Sequence, residues 1–145
     1  MKEVIAKNRK ARYNYHIDKT YIAGMRLKGT EVKSLRNHEA SIGESYCIFV
    51  DGELFVRGMH INAYEFGSYN NHEEVIDRKL LLTKQELNKL KRKIEEKGYS
   101  IVPLEVSFID GWIKMEIGIG KGKKNYDKRN DTKDKDNERE SRRFK

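Results

Sequence analysis

Apolar and polar residues alternate with a period of two near the end of the chain, as in a half-buried β-strand. Lys114 and Glu116 lie between aliphatic residues there. The aliphatic residues of this run are Ile113, Met115, Ile117 and Ile119. We therefore predict a strand over residues 112–119 with one face turned toward a core.

Asp-Gly dipeptides at residues 51–52 and 110–111 separate strand-like runs. The first joins residues 47–50 to 53–56, and the second joins residues 104–109 to the alternating run. Asp-Gly at such a junction favours a type I′ turn, because both central residues need a positive φ. Two β-hairpins are predicted, and Pro103 is expected at a strand start, where a missing N–H is tolerated.

Two segments have helical patterns. Thr83 and Glu86 have the spacing of a capping box, with apolar residues following at helical intervals and Gly98 as the expected stop. These apolar residues are Leu87, Leu90 and Ile94. A shorter helix is predicted over residues 30–38, with Val32 and Leu35 facing inward, after a strand over residues 21–27. Residues 58–79 show no clear period.

This order of short strands and few helices indicates a mostly β fold. We predict an antiparallel barrel of the five-stranded oligonucleotide-binding (OB) type with flanking helices, and an open α+β sheet is the alternative. The 145 residues suffice for one domain. We place the barrel at residues 1–122 and a tail at residues 123–145.

Positive charge is concentrated in the tail. The chain has a net charge of +8, and residues 123–145 alone contain 10 Lys or Arg against 6 Asp or Glu. A small basic protein favours a polyanionic partner, most often nucleic acid. Neither a membrane span nor a signal peptide is evident in the sequence. We expect a cytoplasmic protein that does not bind membranes.

Signals for catalysis, cofactors or metal binding are weak. The sole cysteine, Cys47, lies in an apolar run and is expected to be buried. The run Gly118–Lys123 lacks the spacing of a phosphate-binding loop, and no histidine pair has the spacing of a zinc-binding helix. The four histidines are His16, His38, His60 and His72. We predict a non-enzymatic binding protein without cofactor or metal; a nuclease built from scattered histidines and carboxylates is the minor alternative.

Two segments have the composition of RNA-binding surfaces. Residues 8–16 interleave cations with amides and aromatic rings, which suits phosphates and unpaired bases. Residues 120–124 place three lysines among glycines, so that backbone amides can approach a phosphate. Gly122 is expected to serve by this close approach or by a positive φ. Solvent-exposed termini with no ligand are the alternative, and the basic run of the longer helix is interpreted as a solvated face.

The tail has charge stripes but too few apolar residues for a core. On a helical projection, one acidic stripe and one basic stripe lie about 90° apart. The tail is therefore expected to be disordered when free and to become helical in an anionic groove. A solubilising tail with accidental phasing is the alternative.

Six stretches together resemble one family. In chain order they are NRKARYNYHI, AGMRLKGTEVKSLR, SIGESYCIFVDGELFV, RKLLLTKQEL, EKGYSIVPL and GKGKKNYDKR. They are similar to the SmpB family, whose bacterial members bind transfer-messenger RNA (tmRNA, or SsrA) in trans-translation. The resemblance implies an OB-type barrel that binds the tRNA-like domain of tmRNA and delivers it to stalled ribosomes. A general single-strand RNA-binding or ribosome-associated protein is the alternative.

The resemblance also implies partners and contact residues. EF-Tu with GTP is expected to join through the aminoacylated RNA, and the protein is expected to be a monomer with its RNA. The expected RNA-binding residues are Asn8, Arg9, Lys10, Arg12, Tyr15, Glu31, Lys33, Arg36, Arg78, Lys79, Lys121, Gly122, Lys123 and Lys124. In the tail, the residues expected to contact the ribosomal decoding centre and the empty mRNA channel are Asp127, Lys128, Arg129, Lys133, Lys135, Arg139, Arg142 and Arg143.

Three positions depart from the family pattern. Ile22 stands where the family usually has an acidic residue, and Glu74 and Ile76 stand where it often has proline and arginine. These changes are expected to alter part of the usual RNA contact set.

Overall fold

The computed structural model describes residues 2–67 and 71–124. The tail residues named above, and with them the predicted charge stripes, lie outside these ranges. The described helices are α1 (Ala11–Asn14), α2 (Gly29–Arg36) and α3 (Lys84–Ile94). The described strands are β1 (Lys2–Lys7), β2 (Tyr15–Met25), β3 (Ala40–Ser41), β4 (Tyr46–Val50), β5 (Glu53–Arg57), β6 (His60–Ile61), β7 (Arg78–Leu81), β8 (Tyr99–Ile109) and β9 (Trp112–Gly122).

Six strands form an antiparallel ring in the order β8-β4-β5-β7-β2-β9, and β9 returns to pair with β8. The ring is uneven, because β8, β9 and β2 pair along most of their lengths whereas β4 meets β8 only where Cys47 faces Ile101. β1 extends the sheet along β8, and β3 pairs with β6 separately. The mostly β, OB-like prediction is confirmed. The expected count of five strands is wrong, because β7 links β5 to β2 from a segment without periodicity.

Both predicted hairpins are present, and the alternating apolar residues of β9 face the core. Met115 and Ile117 are fully buried there with Leu54 of β5. Asp51 and Asp110 take positive φ values of 51° and 50°, and the glycines that follow them take 79° and 85°. Such paired positive φ angles are what a type I′ turn requires.

Helix α3 covers one side of the core as its pattern predicts. The hydroxyl of Thr83 accepts a hydrogen bond from the Glu86 N–H, and the Glu86 carboxylate accepts one from the Thr83 N–H. Leu90 is fully buried. The helix ends at Ile94, earlier than Gly98, whose φ of 88° turns the chain toward β8.

Several boundaries differ from the sequence-based prediction. Pro103 lies inside β8 rather than at a strand start. The register with β9 shifts beside it, and β1 is in register with β8 only from Glu105 onward, so its missing N–H is tolerated. β2 begins six residues earlier than predicted, at Tyr15, and neither β1 nor α1 was anticipated.

Glycines on one face of β9 let β2 pass directly over it. A Cβ atom on Gly120 would overlap the carbonyl oxygen of His16, and one on Gly118 would lie 2.8 Å from Cγ2 of Ile17. Beside this crossing a second, smaller apolar cluster packs under α1. Its members are Ala11, Tyr15, Ile17, Val102 and Leu104. The glycine pattern therefore has a packing role.

We predict that Gly120→Ala destabilises the fold by about 3 kcal/mol, the upper end of the usual cost of overpacking, because the added methyl group meets backbone that cannot move aside. Gly122→Ala is the matched control, since nothing lies within 4 Å of its Cβ position. Urea unfolding of both variants measures the difference. Equal stabilities would show that β2 does not need the space at Gly120.

Candidate nucleic-acid interface

Two basic segments that are remote in sequence meet at the start of β2 and the end of β9. Tyr15 lies opposite Gly122, and His16 lies opposite Lys121. The backbone N–H of Lys123 donates to the carbonyl of Asn14 at 2.7 Å. We call residues 8–15 together with residues 121–124 the β2–β9 patch.

Asn8 and Tyr15 hold this patch in place. The Asn8 side-chain amide donates to the carbonyl of Pro103 at 3.0 Å, and its backbone N–H donates to the carbonyl of Leu104 at 2.9 Å. Tyr15 packs half-buried against Ala11. Both residues therefore position the surrounding cations.

The patch presents several cations to solvent. Arg9, Lys10, Arg12, Lys121 and Lys124 are exposed, and Lys123 is half-buried. Arg12 has a carboxylate oxygen of Glu116 at 3.9 Å, and such a long, exposed ion pair is weak. A surface of this kind can neutralise phosphates without reading bases.

Gly122 does not have a positive φ, so one of the two reasons expected for a glycine at this position is wrong. Its surroundings are open, with no atom within 4 Å of a Cβ position. The reason for a glycine here is therefore not backbone strain. The open space beside the strand leaves room for a ligand to approach the backbone.

A second group of predicted contacts lies at the other end of β9. Lys33 and Arg36 are exposed on α2, and Arg36 lines a cavity of about 430 Å³ with the Asp110-Gly111 turn. That turn and Gly122 are at opposite ends of the eleven-residue strand β9, about 30 Å apart at the usual rise per residue. The predicted residues thus form two groups. Lys79, near α2, is partly neutralised by Glu53 at 3.0 Å.

Glu31 and Arg78 are buried, so the contacts that the structure gives them are within the protein, and their contact with RNA stays a prediction. They form an ion pair in which the Glu31 and Arg78 side chains are only 5% and 2% exposed. Arg78 also donates to the carbonyl of Met59 at 2.7 Å and to two further carbonyls at 3.1 Å. Glu31 accepts the backbone N–H of Lys28 at 2.8 Å, so the pair ties the start of α2 to β7. Their role is to position α2.

The histidines have separate structural contacts. His72 is buried, with Nδ1 2.8 Å from the Thr30 hydroxyl and Nε2 3.0 Å from the Ile61 carbonyl. His38 pairs with Glu3, and His60 pairs with Glu74. Among residues 2–67 and 71–124, no three His, Cys, Asp or Glu side chains are placed to hold a metal ion.

Cys47 lies in the core, and burial raises the pKa of its thiol well above the ordinary value. This confirms the sequence-based prediction of a buried cysteine. A thiol in this environment remains protonated and is a poor nucleophile. In the described part of the chain, no helix has the length and apolar character needed to span a bilayer.

Sequence reasoning missed a cluster around Tyr99. Nζ of Lys93 lies 4.5 Å from the centre of the Tyr99 ring, and Nζ of Lys121 lies 5.1 Å from it. Hydrogen bonding to Tyr99 is the main reason that the pKa of Lys93 is raised, and nearby Glu96 adds to it. The basic run of α3 therefore reaches the end of β9, which its helical spacing alone did not reveal.

Comparison with known proteins identifies the family. A family model described as SmpB protein matches residues 5–145. The chain belongs to the SmpB family. An SsrA-binding protein of Geobacter metallireducens is 51% identical over 138 residues, which cover 95% of this chain and 90% of the relative. Another, from Arthrobacter sp. (strain FB24), is 49% identical over 140 residues, covering 97% and 90% respectively.

The fold is also shared with a solved SmpB structure. The structure described as "tmRNA-SmpB: a journey to the center of the bacterial ribosome" has a TM-score of 0.67 and 47% sequence identity to this chain. The similarity covers 82% of this chain and 84% of that one. The SmpB resemblance drawn from the six sequence stretches is therefore confirmed.

The three departures from the SmpB pattern lie at the surface. Ile22 is 49% exposed on β2, where it faces Glu116 of β9. Ile76 is 39% exposed, and the Glu74 carboxylate pairs with His60. An acidic residue at position 22 would stand beside Glu116, so isoleucine removes a like-charge contact.

We predict that Arg78→Met lowers stability by about 3–5 kcal/mol, because it leaves the buried Glu31 carboxylate unpaired. Lys79→Met is the matched control. Lys79 is the next residue along β7, and its ion-pair partner Glu53 is exposed to solvent. Urea unfolding measures the loss for each. If Arg78→Met reduced RNA affinity with unchanged stability, the positioning role would be wrong.

Proposed function

We propose that this SmpB-family protein binds the tRNA-like domain of tmRNA and delivers the RNA to stalled ribosomes. The observation that carries the proposal is the meeting of the two basic segments in the β2–β9 patch. Relatives that cover nearly the whole chain are SsrA-binding proteins, and the solved neighbour concerns tmRNA-SmpB and the bacterial ribosome. Both support the same partner.

The patch binds the sugar–phosphate backbone of the RNA. Lys121, Lys123 and Lys124 neutralise phosphates from one side of the strand exit, and Arg9, Lys10 and Arg12 do so from the other. Open space at Gly122 lets a phosphate come close to main-chain amides. Folded RNA is recognised largely by such shape and phosphate contacts.

The α2 group supplies a second set of phosphate contacts. Lys33 and Arg36 are exposed on α2, and Lys79 is half-buried on β7, the strand that Arg78 ties to α2. Glu31 and Arg78 act indirectly, by fixing α2 on β7. Because about 30 Å of rigid strand separates the two groups, a compact folded RNA reaches both where a short single strand does not.

The protein works as two parts, a body at residues 1–122 and a tail at residues 123–145. In this proposal the tail occupies the decoding centre and the empty mRNA channel. Asp127, Lys128 and Arg129 act nearest the barrel exit. A helical basic stripe that includes Lys135, Arg139 and Arg142 follows them, and Lys133 and Arg143 are further contacts with the ribosome.

The other proposed partner binds through the RNA. EF-Tu with GTP joins through the aminoacylated end of tmRNA, and one protein molecule binds each RNA. Peptide-bond formation and GTP hydrolysis belong to the ribosome and the elongation factor, so the protein needs no catalytic group, cofactor or metal of its own.

The RNA that co-purifies with the full-length protein tests this function. Sequencing should recover one discrete RNA with a tRNA-like end. A heterogeneous mixture would instead support a general single-strand RNA-binding protein. Cleavage of RNA that depended on one of the histidines would support a nuclease.

We predict that reversing Lys123 and Lys124 to Glu weakens binding of the tRNA-like domain without unfolding the barrel. The loss should be largest at low salt, because counterion release drives phosphate binding. Fluorescence anisotropy over a salt series measures it. Reversal of Lys84 and Lys91, two exposed lysines of α3, is the control. If both double variants bound alike, the Lys123–Lys124 segment would be removed from the site.

We predict that truncation after Lys124 leaves RNA affinity and thermal unfolding unchanged but abolishes tagging of stalled peptides. Lys135→Pro in the full chain should also lower tagging, since proline costs about 3 kcal/mol inside a helix and little in an extended chain. In vitro translation of a message without a stop codon measures tagging. Normal tagging by the proline variant would show that the tail acts without helix formation at that position.

A further inference from the structure

Two ammonium groups from different elements lie over one tyrosine ring at the end of β9. Lys93 comes from α3 and Lys121 from β9, with Nζ atoms 4.5 Å and 5.1 Å from the Tyr99 ring centre. Tyr99 begins β8, directly opposite Lys121 in the register. The two Nζ atoms are therefore no more than about 10 Å apart, within the range of a shared aromatic ring.

The ring is held from a third element. The Tyr99 hydroxyl donates a hydrogen bond to the Asp18 carboxylate at 2.9 Å. Asp18 lies where the β2–β9 register shifts between Ile17 and Lys19, and such a bulge redirects a side chain. Asp18 thus anchors Tyr99, and through it the two lysines.

The lysines have little acidic compensation. Glu96 lies 3.5 Å from Lys93, but these side chains are 56% and 38% exposed, so this pair is weak. Within the described residues, no carboxylate forms an ion pair with Lys121. Besides Glu96, the Asp18 carboxylate lies at the Tyr99 hydroxyl, where it accepts the hydrogen bond of that group. The two ammonium groups therefore keep donors with which they can bind an anion.

We propose that Lys93 and Lys121 clamp one phosphate of the RNA backbone, with Tyr99 as their common scaffold. Each ammonium group has three donors, so each can reach a different non-bridging oxygen of the same phosphate. The clamp rests on the proposed function, because it continues the β2–β9 patch around the end of β9 to α3. Of the basic residues of α3, Lys93 then belongs to the RNA interface.

Comparison of Lys93→Gln with Lys91→Gln tests the clamp. Both variants remove one charge from α3, but Lys91 is exposed and makes none of the contacts with Tyr99. For the transcribed tRNA-like domain of tmRNA, Lys93→Gln should weaken binding by about three- to fivefold. It should also lower the log–log salt slope by about one, and Lys91→Gln should change both much less.

A double-mutant cycle tests whether the two lysines share a phosphate. Combining Lys93→Gln with Lys121→Gln should weaken binding by clearly less than the product of the single effects, because either change already breaks the clamp. Independent, multiplicative effects would overturn the shared site. Thermal unfolding of each variant should remain that of the parent protein.

Failure of the clamp is distinguishable from failure of the proposed function. If Lys93→Gln and Lys91→Gln bind equally while reversal of Lys123 and Lys124 still weakens binding, the clamp is wrong and the tmRNA interface stands. If none of these changes alters affinity, the β2–β9 patch is wrong as the interface. If the parent protein binds the tRNA-like domain no better than an unrelated folded RNA, the proposed function is wrong as well.

Discussion

The close approach of β2 to β9 at Gly120 is the constraint on which the rest of the structure depends. A side chain there would overlap the carbonyl of His16, so β2 can cross only where β9 has no Cβ atom. The crossing brings Tyr15 opposite Gly122 and creates the apolar cluster that seats α1. The same period of two turns Lys121 to the face away from Gly120, toward Tyr99. Packing and the basic surface therefore have one origin.

Local chemistry explains how much of the fold was predictable from sequence. The Asp-Gly turns, the Thr83–Glu86 capping box and the alternation in β9 each depend on residues a few positions apart. β1 depends on a partner strand about a hundred residues away, and the interior position of Pro103 depends on the shift in register between β8 and β9. β7 is short and takes its place from β2 and β5 on either side. Long-range pairing leaves no periodic signal in such segments.

The candidate site also has features that the sequence predicts and features that only long-range contacts determine. Composition and family resemblance predict which cations matter, and exposed residues such as Arg9 and Lys124 agree with that pattern. Neither reveals that Glu31 and Arg78, 47 positions apart, bury each other's charge. Neither reveals that Lys93 meets Lys121 over Tyr99. A charged residue in a family motif can act through the fold as well as on the ligand, and only its burial separates the two.

The buried charge of Arg78 is held in place by several partners, whereas each exposed lysine or arginine contributes little binding free energy alone. Arg78 is held by a carboxylate and by carbonyls around it, which offset the cost of removing its charge from water. A surface lysine or arginine contributes little alone, and phosphate contacts carry no sequence information. Discrimination among RNAs must then come from the arrangement of weak contacts. The length of β9 fixes the separation between the β2–β9 patch and α2, so in the proposed interface the body selects an RNA by shape.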